Sequence, residues 1–429
     1  VIKMKYALIN GIILNGHEDM KEQIGLAILV ENEKIVGIVD QNQDLSAYET
    51  VDLQGHYIMP GLINLHVHLP ATGKPKKKQS DAKKLVNLVR KFKPMQTYLK
   101  GVMKQAAKDE LYSGVTSLRT MGGVDHYDSW LRDQIDQNQE VGPRILAGNM
   151  ALSVPGGHMA GSLAYEVKSE QEVLPTLDKI CATKPDVIKL MITGGVLDAT
   201  KKGEPGVLKM PASYVKLACD KAHSLGYKVA AHVESTQGVK VALENGVDTI
   251  EHGAKLTPEL IELFKQRKAV HVATISPALP YALFDRTISH VDEMGQYNGK
   301  VVFDGVLDCA KVCLENGIPV GLGTDTGCPF VTHYDMWREL VYFHKYLGVS
   351  NQFALYTATK LNAKIAGIDQ ITGTIDVGKS ADLIVTKQNP LENLEALRNL
   401  EMVIFRGKRL EQVKIKKMKN AEEQLDRYL

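Results

Sequence analysis

Five side chains suited to a divalent cation close short apolar runs in this chain. His66 and His68 end Gly61-Leu62-Ile63-Asn64-Leu65-His66-Val67-His68, and His232 ends Lys228-Val229-Ala230-Ala231-His232. His252 ends Asp248-Thr249-Ile250-Glu251-His252, and Asp325 follows Val320-Gly321-Leu322-Gly323-Thr324. If these runs are strands, His66 and His68 stand two residues apart on one face, and both imidazoles can reach one ion. A lone pair of this kind is weak, and single histidines are more often structural. The joint placement carries the argument: four imidazoles and a carboxylate at run ends suit borderline divalent ions, zinc above all. Lys189 is the odd member, inside the apolar run Val187-Ile188-Lys189-Leu190-Met191. A buried ammonium beside bound cations is opposed by desolvation and by like charge. Its bland alternative is a lysine that snorkels to the surface.

Such residues can converge only if the runs lie side by side. Apolar β-type runs alternate with helical patterns, which predicts parallel βαβ units. Eight runs end near His66/His68, Arg119, Gly148, Lys189, His232, His252, Val272 and Asp325. One helix is announced by a Thr257 cap, Pro258 in its first turn and the early acid Glu259. Eight βα units over roughly 300 residues predict an α/β fold of the (β/α)8 TIM-barrel type, whose chemistry gathers at the C-terminal strand ends. Outside this region, Ala27-Ile28-Leu29-Val30 and Lys34-Ile35-Val36-Gly37-Ile38 flank a polar turn and predict a hairpin. Ala381-Asp382-Leu383-Ile384-Val385 and Met402-Val403-Ile404-Phe405 look like strands again. Isolated hairpins are marginal, so the two ends are expected to pair into a small β-sandwich. The expected organisation is 1–58 and 371–412 for the sandwich, 59–370 for the barrel, and 413–429 for a charged helical tail.

A chain of 429 residues exceeds the usual span of one core. Its 44% hydrophobic and 24% charged content is ordinary for a globular enzyme, and a formal charge of +2 offers no global attraction to nucleic acid. No run reaches the roughly 20 apolar residues of a membrane span, and no charged-then-apolar leader is visible. The five cysteines (Cys181, Cys219, Cys309, Cys313, Cys328) lack metal-type pair spacing. Cys309 and Cys313 are expected in core packing. Reduced thiols and the missing leader predict a cytoplasmic protein, for which a homo-oligomer is an open expectation.

With these residues in view, the chain resembles the amidohydrolase superfamily over essentially its whole length. The resemblance is carried by Pro60 to His68, Lys189, His232, His252, Gly323-Thr324-Asp325 and the stretch from Gly373 to Val385. It implies that Lys189 is carboxylated by CO2 and that the carbamate bridges two divalent metals, with zinc expected. It also implies that His66, His68 and Asp325 hold one ion while His232 and His252 hold the other. The chain looks most like the Xaa-Pro dipeptidase-like (prolidase-like) branch, with a lesser likeness to imidazolonepropionase and enamidase. Ser113-Gly114-Val115-Thr116-Ser117-Leu118-Arg119 and Gly156-Gly157-His158 are consistent with that branch. Val233-Glu234 departs from it, and Glu234 has no assigned role.

The implied reaction is hydrolysis of an amide-type C–N bond in a dipeptide, an N-acyl amino acid or a cyclic amide. A hydroxide between two metals would attack the carbonyl, since paired cations lower the pKa of a shared water. Asp325 is expected to accept the water's proton and pass it to the leaving nitrogen. His158, on a glycine-rich loop, is a candidate for the oxyanion or for a substrate carboxylate; its bland reading is an exposed loop residue. Arg119 could form a carboxylate fork, with a structural salt bridge the favoured reading. Thr193-Gly194-Gly195 and Gly203-Glu204-Pro205-Gly206 suggest either a lid or an ordinary long loop. Lys74, Lys76, Lys77, Lys78, Lys83 and Lys84 could draw an anionic substrate, or form a solvated loop. For the tail lysines Lys414, Lys416, Lys417 and Lys419 solvation is favoured, and without interleaved aromatics none of these clusters supports nucleic-acid binding. Two rivals stand beside this reading. A mononuclear deaminase or imidazolonepropionase-like ring hydrolase would not need Lys189. A non-catalytic scaffold, like those related to dihydropyrimidinases, would have lost ligands that this chain keeps.

Overall fold

The computed structural model describes residues 4–77 and 81–429, so Lys78 lies outside the described residues. Eight parallel strands form the barrel: β1 (Leu62–Val67), β2 (Val115–Thr120), β3 (Arg144–Leu146), β4 (Val187–Met191), β5 (Lys228–Val233), β6 (Thr249–His252), β7 (Val270–Ala273) and β8 (Val320–Leu322). Their sequences are almost wholly apolar because helices cover the outside and side chains fill the inside. From β4 to β8 the ladder is continuous, with Lys189 opposite Ala230, His232 opposite Glu251, and Val272 opposite Gly321. The ring closes between its two ends. The Asp325 amide donates to the His66 carbonyl at 2.8 Å, and the His68 amide to the Thr326 carbonyl at 3.2 Å. Closure therefore places Asp325 beside the two β1 histidines.

The third strand is less regular than its apolar run suggests. β3 pairs with β2, but contact with β4 passes to a second short strand, Ala151–Ser153. Between them the Gly148 amide donates to Thr120 Oγ1 at 2.7 Å, and a Cβ at Gly148 would stand 2.4 Å from the Thr120 carbonyl oxygen. Only glycine allows that approach. The expected strand end near Gly148 is thus a break in the strand.

Both chain ends build the sandwich. One sheet runs Lys34–Asp40, Leu26–Glu31, Lys5–Ile9, Glu49–Asp52, and the other Lys408–Arg409, Leu400–Phe405, Leu383–Thr386, Tyr57–Pro60, Ile12–Ile13. Tyr6, Leu8, Ile28, Ile58, Leu383 and Ile404 pack between them. The expected hairpin forms, with Val30 opposite Ile35. The expected helix forms as Pro258–Arg267, capped by Thr257, whose side chain accepts from the Leu260 amide. Cys309 and Cys313 are fully buried on the helix Glu293–Glu315, as core packing requires. Among the described residues no helix is long and apolar enough to cross a membrane.

The tail differs from a continuous helix. Only Lys419–Leu425 is α-helical, followed by one 3-10 turn. Val413-Lys414-Ile415-Lys416-Lys417 alternates apolar and basic residues, a period of two that suits extended chain. The short helix is anchored by buried Arg338, which reaches Glu422 at 3.1 Å and Asp426 at 2.8 Å while lying over the Trp337 ring. Arg398 grips the same two carboxylates at 3.0 Å each. Removing one partner of a buried pair strands the others. Arg338→Ala is therefore expected to cost about 3–5 kcal/mol of unfolding free energy and to expose the tail. Urea unfolding together with limited proteolysis of residues 411–429 would check this, and an unchanged midpoint and cleavage pattern would contradict it.

Candidate metal centre

Each histidine at the barrel mouth has one ring nitrogen held from behind. His68 Nδ1 donates to the Gly122 carbonyl at 2.9 Å, and His232 Nε2 to the Gly194 carbonyl at 3.1 Å. A carbonyl only accepts, so these bonds set the tautomers and leave His68 Nε2 and His232 Nδ1 as lone-pair donors. His66 Nδ1 meets Glu251 Oε2 at 2.7 Å, and His252 Nδ1 meets Thr274 Oγ1 at 2.6 Å. Such partners orient metal-binding imidazoles and raise their basicity. Burial, then the neighbouring Lys189, pushes His66 down to about 4, and burial holds His232 and His252 well below the ordinary range. All three rings are therefore neutral near neutral pH, the form that binds metal.

The rings pack edge to face or tilted across the mouth, with centroids 5.3 Å apart for His66–His68, 4.9 Å for His66–His252 and 4.7 Å for His232–His252. Asp325 Oδ1 lies 3.4 Å from His66 Nε2 and 3.0 Å from His68 Nε2. Two groups of donors result, His66/His68/Asp325 and His232/Glu234/His252, each with its donor atoms within 4.8 Å of one another. Both suit a divalent ion by donor chemistry. The fit is supported by Glu234 Oε2, which is enclosed yet makes no hydrogen bond among the described residues. His252 and Asp325 hold left-handed backbone at φ 69° and 56°, and non-glycine residues adopt that region at a cost.

Lys189, expected near a strand end, lies instead in the middle of β4, 1% exposed and two residues below the level of His232, because the strand runs on to Met191. Burial lowers its amine to about 8, against the pull of Glu251 and Asp325. A neutral amine is thus accessible close to neutral pH.

Beneath the rim runs a buried ionic frame. Arg119 donates to Glu251 Oε1 at 2.7 Å and to the Leu65 carbonyl at 2.9 Å, so it is a structural ion pair in the barrel interior. Glu251, fully buried, accepts also from Thr249 Oγ1 at 2.7 Å. Burial would raise its carboxyl, but the Arg119 guanidinium holds it well below the carboxylate range.

His158 stacks on His232 with centroids 3.9 Å apart and planes 6° apart. Its Nδ1 lies 2.6 Å from Asp198 Oδ2, which also accepts from the Gly195 amide at 2.9 Å. The loop after β3 is thereby clasped to the loop after β4. Together they wall a cavity of about 420 Å3, onto which His68, His158, His232, Glu234, His252 and Asp325 open. His66 and Lys189 lie below it. Lys74, Lys76 and Lys77 stand at its lip, and Pro277, Tyr281 and Val302 are on an apolar wall. Lys83 is instead paired with Glu166 at 2.7 Å.

The amidohydrolase family model matches residues 57–410, the barrel and the returning part of the sandwich. The chain belongs to the amidohydrolase family. A prolidase-like protein from Bifidobacterium longum is 33% identical, with TM-score 0.87 and coverage of 99% of this chain and 98% of that one. A Xaa-Pro dipeptidase solved with methionine in its active site is 27% identical, with TM-score 0.82 and coverage of 95% and 100%. Ochratoxinase of Aspergillus niger is 24% identical over 91% of this chain and 83% of its own. This amidohydrolase is accordingly a hydrolase acting on C–N bonds, and the likeness to imidazolonepropionase noted from the sequence is present among its relatives at 23% identity.

Three residues of the centre carry weight that sequence reasoning did not give them: Glu251, Asp198 and Glu234. A carboxylate inside an apolar strand, directly before a candidate ligand, was the available signal for Glu251. Glu251→Gln in this amidohydrolase weakens the hold on both His66 and Arg119. Metal affinity is expected to fall about 10–100-fold, read by competition with a chromogenic chelator. Wild-type affinity in a folded variant would contradict the role.

Proposed function

We propose that this amidohydrolase uses two divalent ions, zinc in the first instance, to hydrolyse the amide bond of a small carboxylate-bearing substrate. The candidates are a dipeptide, an N-acyl amino acid or a cyclic amide. The observation that carries the reading is the pair of donor groups, His66/His68/Asp325 and His232/Glu234/His252, with buried Lys189 two residues below the level of His232 on β4. In this reading the Lys189 amine would add to CO2 and lose a proton, and as a carbamate anion it would help hold the ions where an ammonium is disfavoured. Bound metals supply a water that is nucleophilic at neutral pH and polarise the scissile carbonyl.

The chain's own groups do the rest. Asp325 takes the proton released on attack and returns it to the leaving nitrogen, so the amine departs neutral. His158, held by Asp198 and stacked over His232, offers its other ring nitrogen to the carbonyl oxygen or to a substrate carboxylate. Lys74, Lys76 and Lys77 give the lip a positive field for that carboxylate, and the wall at Pro277, Tyr281 and Val302 receives an apolar group. Five unpaired cysteines support a reducing, cytoplasmic setting.

Elemental analysis of protein prepared with zinc and bicarbonate is expected to approach two equivalents per chain. A reproducible single equivalent at full activity would favour the mononuclear ring hydrolase. A screen of Xaa-Pro dipeptides, N-acyl amino acids and cyclic amides then identifies the substrate. Asp325→Asn keeps the shape and one coordinating oxygen but removes the base. Its kcat is expected to fall by about two orders of magnitude or more with KM and metal content little changed. Near-normal turnover with both ions bound would assign the proton transfer to another residue.

A further inference from the structure

The family resemblance leaves the second ion with two imidazoles and the Lys189 carbamate. The structure assigns it a third side-chain ligand, Glu234, which turns the His232/His252 pair into a complete three-donor set. The inference rests on the two-ion reading above and goes beyond it, because Glu234 makes this set independent of the carbamate.

The argument begins with what Glu234 lacks. It lies one residue beyond β5, with its amide donating to Thr193 Oγ1 at 3.0 Å, and its Oε2 is enclosed without a hydrogen-bond partner among the described residues. A donor atom of its carboxylate stands within 4.8 Å of those of His232 and His252. The proton on His232 Nε2 is committed to the Gly194 carbonyl, so the ring's other nitrogen is a lone pair. Acceptors enclosed together repel one another and forfeit their hydration. A cation among them removes both penalties. Two imidazoles and a carboxylate are also one of the standard three-ligand sets of catalytic zinc, which keeps its fourth position open.

The surroundings hold Glu234 there. The loop after β4 passes so close that a Cβ on Gly206 would stand 2.1 Å from the Glu234 carbonyl oxygen, and one on Gly195 would stand 3.4 Å from Oε2. Asp198, which accepts from the Gly195 amide, fixes that loop through His158. The clasp therefore presses the loop onto Glu234 as well as walling the cavity. The two ions would have matched protein sets, two histidines with an aspartate and two histidines with a glutamate, and the carbamate would bridge sites that each stand without it.

The test compares zinc binding in four proteins: wild type, Glu234→Gln, Lys189→Ala and Lys189→Ala/Glu234→Gln, with circular dichroism as the check on folding. Stoichiometry after dialysis and affinity by chelator competition are the readouts. Lys189→Ala is expected to retain an ion at His232/His252, and adding Glu234→Gln is expected to weaken that ion at least about tenfold. Zinc-edge anomalous diffraction from Lys189→Ala crystals should place a Glu234 oxygen about 2.0–2.2 Å from the ion. If Lys189→Ala does not fold, the weaker of the two affinities in Glu234→Gln against wild type carries the same comparison. Two equivalents in wild type with affinities untouched by Glu234→Gln, in either background, would overturn the Glu234 assignment alone. A wild type that binds no zinc would instead overturn the two-ion reading on which it rests.

Discussion

The centre depends on one buried ion pair. Arg119 of β2 and Glu251 of β6 meet across the barrel interior, and each spends its remaining valences on the strand that carries His66: Arg119 on the Leu65 carbonyl and Glu251 on His66 Nδ1. Taking two charges out of water costs several kcal/mol per ion, which only good geometry and further hydrogen bonds offset. Those bonds are present, and Thr249 adds another. The pair is a poor source of stability but a strong source of position. It orients the His66 ring and ties strands one, two and six together just under the rim. Its carboxylate also opposes the burial that lowers the Lys189 amine, while its guanidinium acts the other way and more weakly.

Above that frame the rim carries strain that the barrel must hold. His252 and Asp325 both sit in left-handed backbone, at about 1–3 kcal/mol each for non-glycine residues. Neither can relax alone. The Asp325 amide is bound to the His66 carbonyl by the bond that closes the barrel, and the Gly253 amide is bound to the Val233 carbonyl at 2.9 Å. At Asp325 the bond that closes the ring also places the side chain, while at His252 the adjoining β5 does so, and both side chains turn at the point where their strands end.

What could be read from the chain divides along sequence distance. The barrel strands, the hairpin, the Thr257 cap and the strand-end placement of His66, His68, His232, His252 and Asp325 were legible because each shows in a few consecutive residues. Partnerships that close over long separations were not. Glu251 lies 185 positions from His66 and 132 from Arg119, and Asp198 is 40 from His158. The broken third strand was hidden for a similar reason, since the hydroxyl that captures the Gly148 amide belongs to Thr120 on the preceding strand. The extended part of the tail was not legible because its anchoring arginines, Arg338 and Arg398, are remote; with them in place only the stretch that offers Glu422 and Asp426 needs to be compact.

The same division separates chemistry from selectivity. The donor groups stand on or next to strand ends, braced by the ion pair and by ring closure, and loop changes at the cavity lip leave those supports untouched. The cavity walls come from elsewhere: the lysine-bearing segment after β1, the clasped loops after β3 and β4, and the helices Ile275–Leu283 and Glu293–Glu315. Family relatives that differ in these walls can therefore share a centre and still act on different amides, which is how a fold hosts many activities. In this chain the two meet at His158. Its ring rests on the ligand candidate His232, while its Nδ1 holds the loop that covers Glu234. A substrate that reorients His158 must disturb both the clasp and the packing over His232. Binding at the wall would thereby be felt at the rim through one side chain.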